Sequence, residues 1–188
     1  MTPDPGTPST TPRSPMPSPE AFVPHVRDVG PVALAVIRDT VGMEELPAFF
    51  DRAYRQVLET IERQGLHRLG APVGVYYGQP GETVDLAAGF PVSGRVLPDG
   101  DVAPGELPGG RVAEMIHRGS YDTLAASYQK LEDWMREQGH TAAPIVWETY
   151  LTMPTPEGNP DDMLTQLSWL LVGPGTPSGD DDERHQRR

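Results

Sequence analysis

The stretch that decides the fold is RVAEMIHRGSYDTLAASYQKLEDWMREQG, residues 111–139. Its first seven residues are predicted to form a strand that ends at Arg118. Ser120 can serve as an N-cap, and a helix is predicted from Tyr121 to Gln138, with Gly139 as its stop. The residues that recur at three- and four-residue spacing, and so form the buried stripe of this helix, are Leu124, Tyr128, Leu131 and Met135.

The same order of elements occurs earlier in the chain. Here the pattern predicts a strand at Val32–Ile37, a helix at Glu44–Gln64, and two short strands at Val73–Tyr77 and Val84–Phe90. The second half is completed by strands at Ile145–Thr152 and Leu164–Val172, and three markers recur between the halves. They are Arg38 with Arg118, Gln64-Gly65 with Gln138-Gly139, and Ala71-Pro72 with Ala143-Pro144.

A β-α-β-β unit therefore occurs twice, in halves at about residues 25–95 and 108–172, and His25–Val29 is a candidate extra strand. Neither half is large enough to bury a comfortable core alone. We predict an α+β fold in which each unit packs a helix on a small, mostly antiparallel sheet, and in which the two units share a core and are related by a pseudo-two-fold axis. A central ligand groove is expected along the seam, because concave sites often form where modules meet.

Proline and glycine, 22 and 20 residues respectively, divide the chain. Residues 1–24 are rich in proline, serine and threonine, and residues 173–188 are glycine- and proline-rich and then charged. Both segments are predicted to be disordered tails, since they cannot bury enough apolar surface to offset the entropy of ordering. A third such stretch, residues 93–110, retains apolar residues and is predicted to be an ordered connection between the halves.

Composition excludes several functional classes. The 188 residues include no cysteine, which rules out disulfides and cysteine-ligated metals, and the five histidines show no ligand spacing. We therefore expect no metal and no cofactor. The net charge of −12 argues against nucleic-acid binding. No apolar run reaches the ~18 residues of a membrane helix, and no signal peptide is evident. A cytoplasmic protein is expected.

Glu148 is the candidate functional carboxylate. It lies in an otherwise apolar and aromatic strand, where alternation places it on one face with Tyr150, while Trp147 and Leu151 point to the other. Trp147 and Leu151 are predicted to pack under the helix, which would leave Glu148 and Tyr150 facing the cleft. The alternative is a surface glutamate, or one paired with Arg38 or Arg118.

Four other aromatic residues are candidates for the groove. Tyr76 corresponds to Glu148 when Pro72 is aligned with Pro144, and Tyr121 begins the second helix. Aromatic faces offer rigid apolar walls and attract cations. Phe90 and Trp169 correspond to each other at the ends of the last strands. They are included among the ligand-binding candidates, although core packing is the simpler interpretation for both.

Several segments resemble the GyrI-like family, which includes the effector-binding domains of AraC-type and MerR-type multidrug regulators. They are Gly119-Ser120-Tyr121-Asp122 before the helix, Trp147–Leu151, Leu107–Ala113, Glu45-Leu46-Pro47 and Val84–Val92. The resemblance covers about residues 25–172 and implies a tandem β-α-β-β pair with a ligand groove. It departs from the family in having Ser120 where proline is usual, and in lacking the usual acid near Gln166.

The resemblance also implies a function. Known members bind bulky, often cationic, aromatic compounds, and a glutamate at the position of Glu148 reaches into the groove. We expect a stand-alone domain that binds lipophilic aromatic or cationic small molecules, and the sequence names no protein partner. One alternative is a hydrolase of cyclopropane-type electrophiles, with Glu148 as general base and Tyr121 or Tyr150 as hydrogen-bond donor. Another is a protein-binding module similar to a gyrase inhibitor.

Overall fold

The structure, a computed structural model, describes residues 17–79, 81–152, 154 and 158–173. The disorder predicted for residues 1–16 and 174–188 lies outside this range. Two α-helices and eight strands occur in the described residues. The helices are α1 (Leu46–Arg63) and α2 (Leu124–Glu137). The strands are β1 (His25–Val29), β2 (Val32–Gly42), β3 (Val73–Tyr77), β4 (Thr83–Pro91), β5 (Ala103–Leu107), β6 (Gly110–Arg118), β7 (Ala142–Tyr150) and β8 (Leu164–Leu171).

All eight strands form one antiparallel sheet in the order β1-β6-β8-β7-β3-β4-β2-β5. The first half contributes β2-β4-β3 and the second contributes β6-β8-β7, so the two halves have the same internal strand order. They meet where β3 pairs with β7, with Val75 opposite Trp147. A two-fold axis through this pair brings Tyr76 onto Glu148, the correspondence predicted from the two Ala-Pro markers. The predicted α+β fold is confirmed.

Both helices pack on the same face of the sheet. Helix α1 contacts β2 and β4 and buries Phe49, Ala53 and Val57 in one core cluster. Helix α2 contacts β6 and packs Leu131 and Met135 against β8 residues in a second cluster. The strip of sheet between the two helices is β3 and β7, so the seam of the two halves carries the residues that neither helix covers.

The opposite face of the sheet curls onto itself. One cluster on this face joins Leu34 and Val36 of β2 to Val112 of β6, although four strands separate β2 from β6 in the sheet. Trp147 belongs to this cluster and is 5% exposed. The strong curl closes the sheet into a half-barrel, which buries this face without a second layer of helices.

Two segments differ from the sequence predictions. Pro19–Phe22, inside the predicted tail, forms a short 3₁₀ turn that contacts β6. Ala103–Leu107, inside the predicted connection, is strand β5 and pairs with β2. Its sequence, APGEL, has little β-propensity, but an edge strand hydrogen-bonds on one side only and so tolerates proline. No helix within the described residues is long and apolar enough to cross a membrane.

Candidate functional site

Glu148 occupies the centre of the sheet, on the face that carries the helices. It lies opposite Gly74 of β3 and Leu167 of β8 and is only 6% exposed. The absence of a side chain at Gly74 makes room for its neighbours. A Cβ atom there would lie 3.1 Å from both the Phe50 ring and the Tyr150 hydroxyl. The sequence therefore places the carboxylate in an interior space whose other walls are aromatic.

Three tyrosine hydroxyls donate hydrogen bonds to the Glu148 carboxylate. Tyr150 donates to Oε2 at 2.6 Å, Tyr76 donates to the same oxygen at 3.3 Å, and Tyr128 donates to Oε1 at 2.8 Å. The donors come from β7, β3 and α2, so both halves of the molecule contribute. We call Glu148 with Tyr76, Tyr128 and Tyr150 the carboxylate cluster.

No arginine or lysine among the described residues pairs with Glu148. Arg38 is paired with Asp85 at 2.7 Å, and Arg118 is paired with Asp162. The alternatives of a surface glutamate and of a glutamate paired with either arginine are therefore wrong. The reason is position: Arg38, within β2, and Arg118, the last residue of β6, both have exposed side chains, and their guanidinium groups bind Asp85 and Asp162 rather than reach the centre of the sheet.

Burial controls the electrostatics of the cluster. Loss of solvation raises the pKa of Glu148, while the hydrogen bonds from the three tyrosines and the charge of nearby His117 act in the opposite direction. Burial also raises the pKa of Tyr76, Tyr128 and Tyr150, and the Glu148 charge raises each further. The tyrosines therefore remain protonated donors, and among the described residues the cluster holds a carboxylate that no arginine or lysine pairs with.

A second set of aromatic rings surrounds the carboxylate cluster. The Tyr150 ring has Phe50, Tyr121 and Tyr54 around it at centroid distances of 5.9, 5.7 and 6.4 Å, all edge-on. Tyr121 lies in a 3₁₀ turn, Tyr121–Thr123, rather than in the helix predicted to begin there, and is 40% exposed. Tyr121 is thus the aromatic residue at the solvent side of the cluster.

The structure places Phe90 and Trp169 outside this group. Phe90 is 3% exposed in the core cluster under α1, with its ring 5.4 Å from that of Tyr54. Trp169 is half-buried, contacts the Tyr128 ring edge-on at 6.1 Å, and donates from Nε1 to the Ala143 carbonyl. Phe90 packs against Tyr54 and Trp169 packs against Tyr128, and neither residue hydrogen-bonds to Glu148.

The predicted orientation of the central strand was half right. Glu148 and Tyr150 do share a face, but it is the face that carries the helices, and Trp147 packs in the curled interior opposite. Leu151 is 38% exposed. The sequence prediction assumed that the helices cover one face and the cleft opens on the other. Because the helices leave β3 and β7 between them, the helical face and the site face are the same.

Sequence reasoning missed two tyrosines and Phe50. Tyr128 was predicted only as part of a buried helix stripe, yet its hydroxyl binds Glu148. Tyr54 was not singled out, although its ring lies against the cluster and its hydroxyl donates to the Val73 carbonyl. A signal was available: aligning the repeats on Gln64 and Gln138 places Tyr54 on Tyr128.

The pKa of Glu148 leads to a prediction about stability. We expect Glu148→Gln to gain stability relative to the wild type as pH rises from about 4 to about 8. Burial raises the pKa of Glu148, so the folded protein holds this proton more tightly than the unfolded chain. That contribution is complete below the ordinary glutamate pKa and is lost as pH rises through the folded pKa. Urea unfolding of both proteins across this range measures the difference, and a pH-independent difference would contradict the assignment.

The structure thus has a buried, tyrosine-lined carboxylate at the junction of the two halves. The chain belongs to the family of GyrI-like small molecule binding domains, whose sequence profile matches residues 23–168. The resemblance noted in the sequence is thereby confirmed. Comparison with curated proteins finds no match to the sequence.

Solved structures share the fold. The EcmrR C-terminal domain superposes with a TM-score of 0.70 at 14% identity, over 80% of this chain and 98% of that chain. The chain spans 58% of the EcmrR chain in an EcmrR–DNA complex. SAV2435 bound to tetraphenylphosphonium superposes with a TM-score of 0.58 at 12% identity, over 81% of this chain and 95% of the SAV2435 chain. A hydrolase from Listeria innocua superposes with a TM-score of 0.56 at 12% identity, over 80% of this chain and 92% of the hydrolase chain.

Proposed function

We propose that this domain binds bulky lipophilic aromatic cations, with Glu148 as the charged contact. The observation that carries the proposal is a carboxylate 6% exposed, held by three tyrosine hydroxyls, with no arginine or lysine partner among the described residues. Burying a charge that has no arginine or lysine partner raises the free energy of the folded protein, because no salt bridge offsets the loss of hydration. A cationic ligand supplies the missing charge and offsets that cost.

The surrounding rings favour the same ligand class. Tyr76, Tyr121, Tyr128 and Tyr150 lie around the carboxylate, with Phe50 and Tyr54 beside them. Aromatic faces attract cations by about 0.5–2 kcal/mol each and also bury the apolar groups of a ligand. A compact, strongly hydrated cation gains little from such walls. A cation whose charge is spread inside an aromatic shell matches both the rings and the carboxylate.

Entry of such a ligand requires the rings to separate. Glu148 is nearly enclosed in the structure, and Tyr121, on its 3₁₀ turn, is the exposed ring next to Tyr150. Displacing Tyr121 uncovers the cluster without breaking a strand pair or a helix. The structure of SAV2435 with tetraphenylphosphonium, a related fold, supports the choice of this cation as a probe.

The test compares two ions of the same shape and opposite charge. Calorimetric titration with tetraphenylphosphonium should give micromolar binding, whereas tetraphenylborate should bind at least about tenfold more weakly, a difference of about 1.4 kcal/mol. Both ions bury the same aromatic surface, so the difference measures the charge preference of the protein, which the Glu148 variant then assigns to this residue. Equal affinities, or tighter binding of the borate, would refute a cation site.

A second candidate function is hydrolysis of strained electrophiles, with Glu148 as general base. It rests on the raised pKa of Glu148, since a base is most effective when its pKa approaches the working pH. The donor in this mechanism is Tyr150, which hydrogen-bonds to the carboxylate, with Tyr121 at the entrance contacting Tyr150. Turnover of a cyclopropane-containing electrophile that Glu148→Gln abolishes, while substrate still binds, would establish this function.

A further inference from the structure

A separate cleft of about 530 Å³ lies beside α2 and is not lined by any member of the carboxylate cluster. This volume falls within the range of small-ligand sites. Its walls come from the end of β6, the turn that follows and the outer side of α2. They include the apolar side chains Phe22 and Ile116 and the polar side chains His117, Ser127 and Lys130.

His117 and Ser127 form a hydrogen-bonded pair in the wall of this cleft. The Ser127 hydroxyl lies 2.8 Å from His117 Nδ1, and His117 Nε2 lies 3.1 Å from the Ser120 carbonyl oxygen. A carbonyl oxygen can only accept, so neutral His117 carries its proton on Nε2. The Nδ1 lone pair is then free to accept from the Ser127 hydroxyl. This is the relation of a general base to a hydroxyl nucleophile, with the carbonyl fixing the imidazole.

The local backbone supports this geometry. His117 is 4% exposed, so its ring is fixed by packing, whereas Ser127 is half-buried and reaches the cleft. Gly119 has a φ of +136°, and a Cβ atom there would lie 3.3 Å from His117 Nε2. Glycine thus lets the turn close over the imidazole and bring the Ser120 carbonyl to it.

A lysine also lines the cleft on the same side of the helix. Lys130 follows Ser127 by three residues on α2, so both side chains lie on one side of the helix, and both line the cleft. An ammonium group there stabilises negative charge that develops on a reacting oxygen.

From this geometry we infer that Ser127 is an activated nucleophile for small activated acyl compounds such as aryl esters. In the step, Ser127 Oγ forms a bond to the acyl carbon and its proton passes to His117 Nδ1. The ester C–O bond then breaks, and the leaving alcohol takes that proton. Water, deprotonated by His117, releases the acid from the serine ester and restores the hydroxyl. No oxidant or cofactor is needed.

The test uses an alkyl fluorophosphonate, which transfers its phosphoryl group to an activated serine hydroxyl and releases fluoride. We expect an adduct on Ser127, located by peptide mass spectrometry in the full chain. The adduct should be absent in Ser127→Ala and should form at least tenfold more slowly in His117→Gln. Ser93→Ala is the control, because Ser93 lies outside the cleft, and this variant should react as the wild type does. A wild-type protein without an adduct on Ser127 would overturn the inference.

A second measurement tests the same inference without the His117→Gln variant, and it can be used if that variant fails to fold. The chain has no cysteine, so Ser127→Cys introduces its one thiol. An imidazole acceptor favours the thiolate, and we expect alkylation by iodoacetamide at neutral pH to be at least about tenfold faster than in Ala125→Cys, an exposed position on the same helix. Equal or slower alkylation would show that His117 does not activate this position, and would overturn the inference. Neither result depends on cation binding at Glu148.

Discussion

Glu148→Gln is expected to weaken the binding of tetraphenylphosphonium by about 1–3 kcal/mol, the range for a charge-assisted contact in a buried site. The substitution keeps the size of the side chain. Its amide oxygen can still accept from Tyr150 or Tyr128, while its amide nitrogen can donate to the other hydroxyl. What it removes is the negative charge. Affinity should therefore fall roughly 5- to 150-fold, while tetraphenylborate should bind no worse than before.

Glu114→Gln is the matched control for this experiment. Glu114 is also 6% exposed, but it pairs with Arg27 and accepts from Gln166, and it points away from the face that carries the cluster. Its replacement changes the net charge of the protein equally. Calorimetry should show nearly unchanged cation affinity in this variant. Equal losses in both variants would mean that Glu148 acts only through the overall charge of the protein, and the proposed contact would be wrong.

Gly89→Ala is expected to lower the free energy of unfolding by at least about 3 kcal/mol, or to prevent folding. Gly89 lies in β4 between Val36 of β2 and Val73 of β3. A Cβ atom there would lie 1.9 Å from the Ala35 carbonyl oxygen and 2.9 Å from the Val36 Cα atom. Both obstacles are backbone, so no side-chain rotation relieves the clash, and β2 must move away from β4.

Urea denaturation of Gly89→Ala beside Gly30→Ala tests this expectation. A Cβ atom added at Gly30 meets nothing within 4 Å, so that variant should unfold within about 0.5 kcal/mol of the wild type. The pair separates a steric effect from the general effect of replacing glycine. A Gly89→Ala protein as stable as Gly30→Ala would show that β2 and β4 lie further apart than described.

Much of the fold could be predicted because local patterns and global structure agree. The helix stripe ending at Met135 and the Gly139 stop define α2, and the repeated Ala-Pro markers gave the correspondence between Tyr76 and Glu148 before the β3–β7 pairing was known. Strand β5 could not be predicted in this way. Its pairing with β2 depends on an available sheet edge, which is a property of the assembled sheet and not of the sequence APGEL.

The candidate site was predictable in part. Alternation along the strand placed Glu148 and Tyr150 on one face, but it could not decide which face the helices cover, because alternation only divides the side chains between two faces. The position of Tyr128 illustrates the limit. Its spacing predicts a core residue, and only the distance between α2 and β7 in the folded protein brings its hydroxyl to the carboxylate.

The duplication explains why a single carboxylate lies at the centre. The two-fold axis relates Tyr76 to Glu148, and the repeat alignment relates Tyr54 to Tyr128. One half thus supplies a hydroxyl where the other supplies an acid, and Tyr76 donates to its own counterpart. This divergence between the halves converts a symmetric seam into a site with one charge.

The most direct test of cation binding at Glu148 is a crystal structure of the protein with tetraphenylphosphonium. We predict that the phosphonium lies between α1 and α2 over β3 and β7, with Tyr121 displaced. Its phenyl groups should lie among Tyr76, Tyr128 and Tyr150, with the charge within about 6 Å of an aromatic centroid and facing the Glu148 carboxylate. A cation bound elsewhere, with the carboxylate cluster still closed as in the present structure, would contradict the proposal.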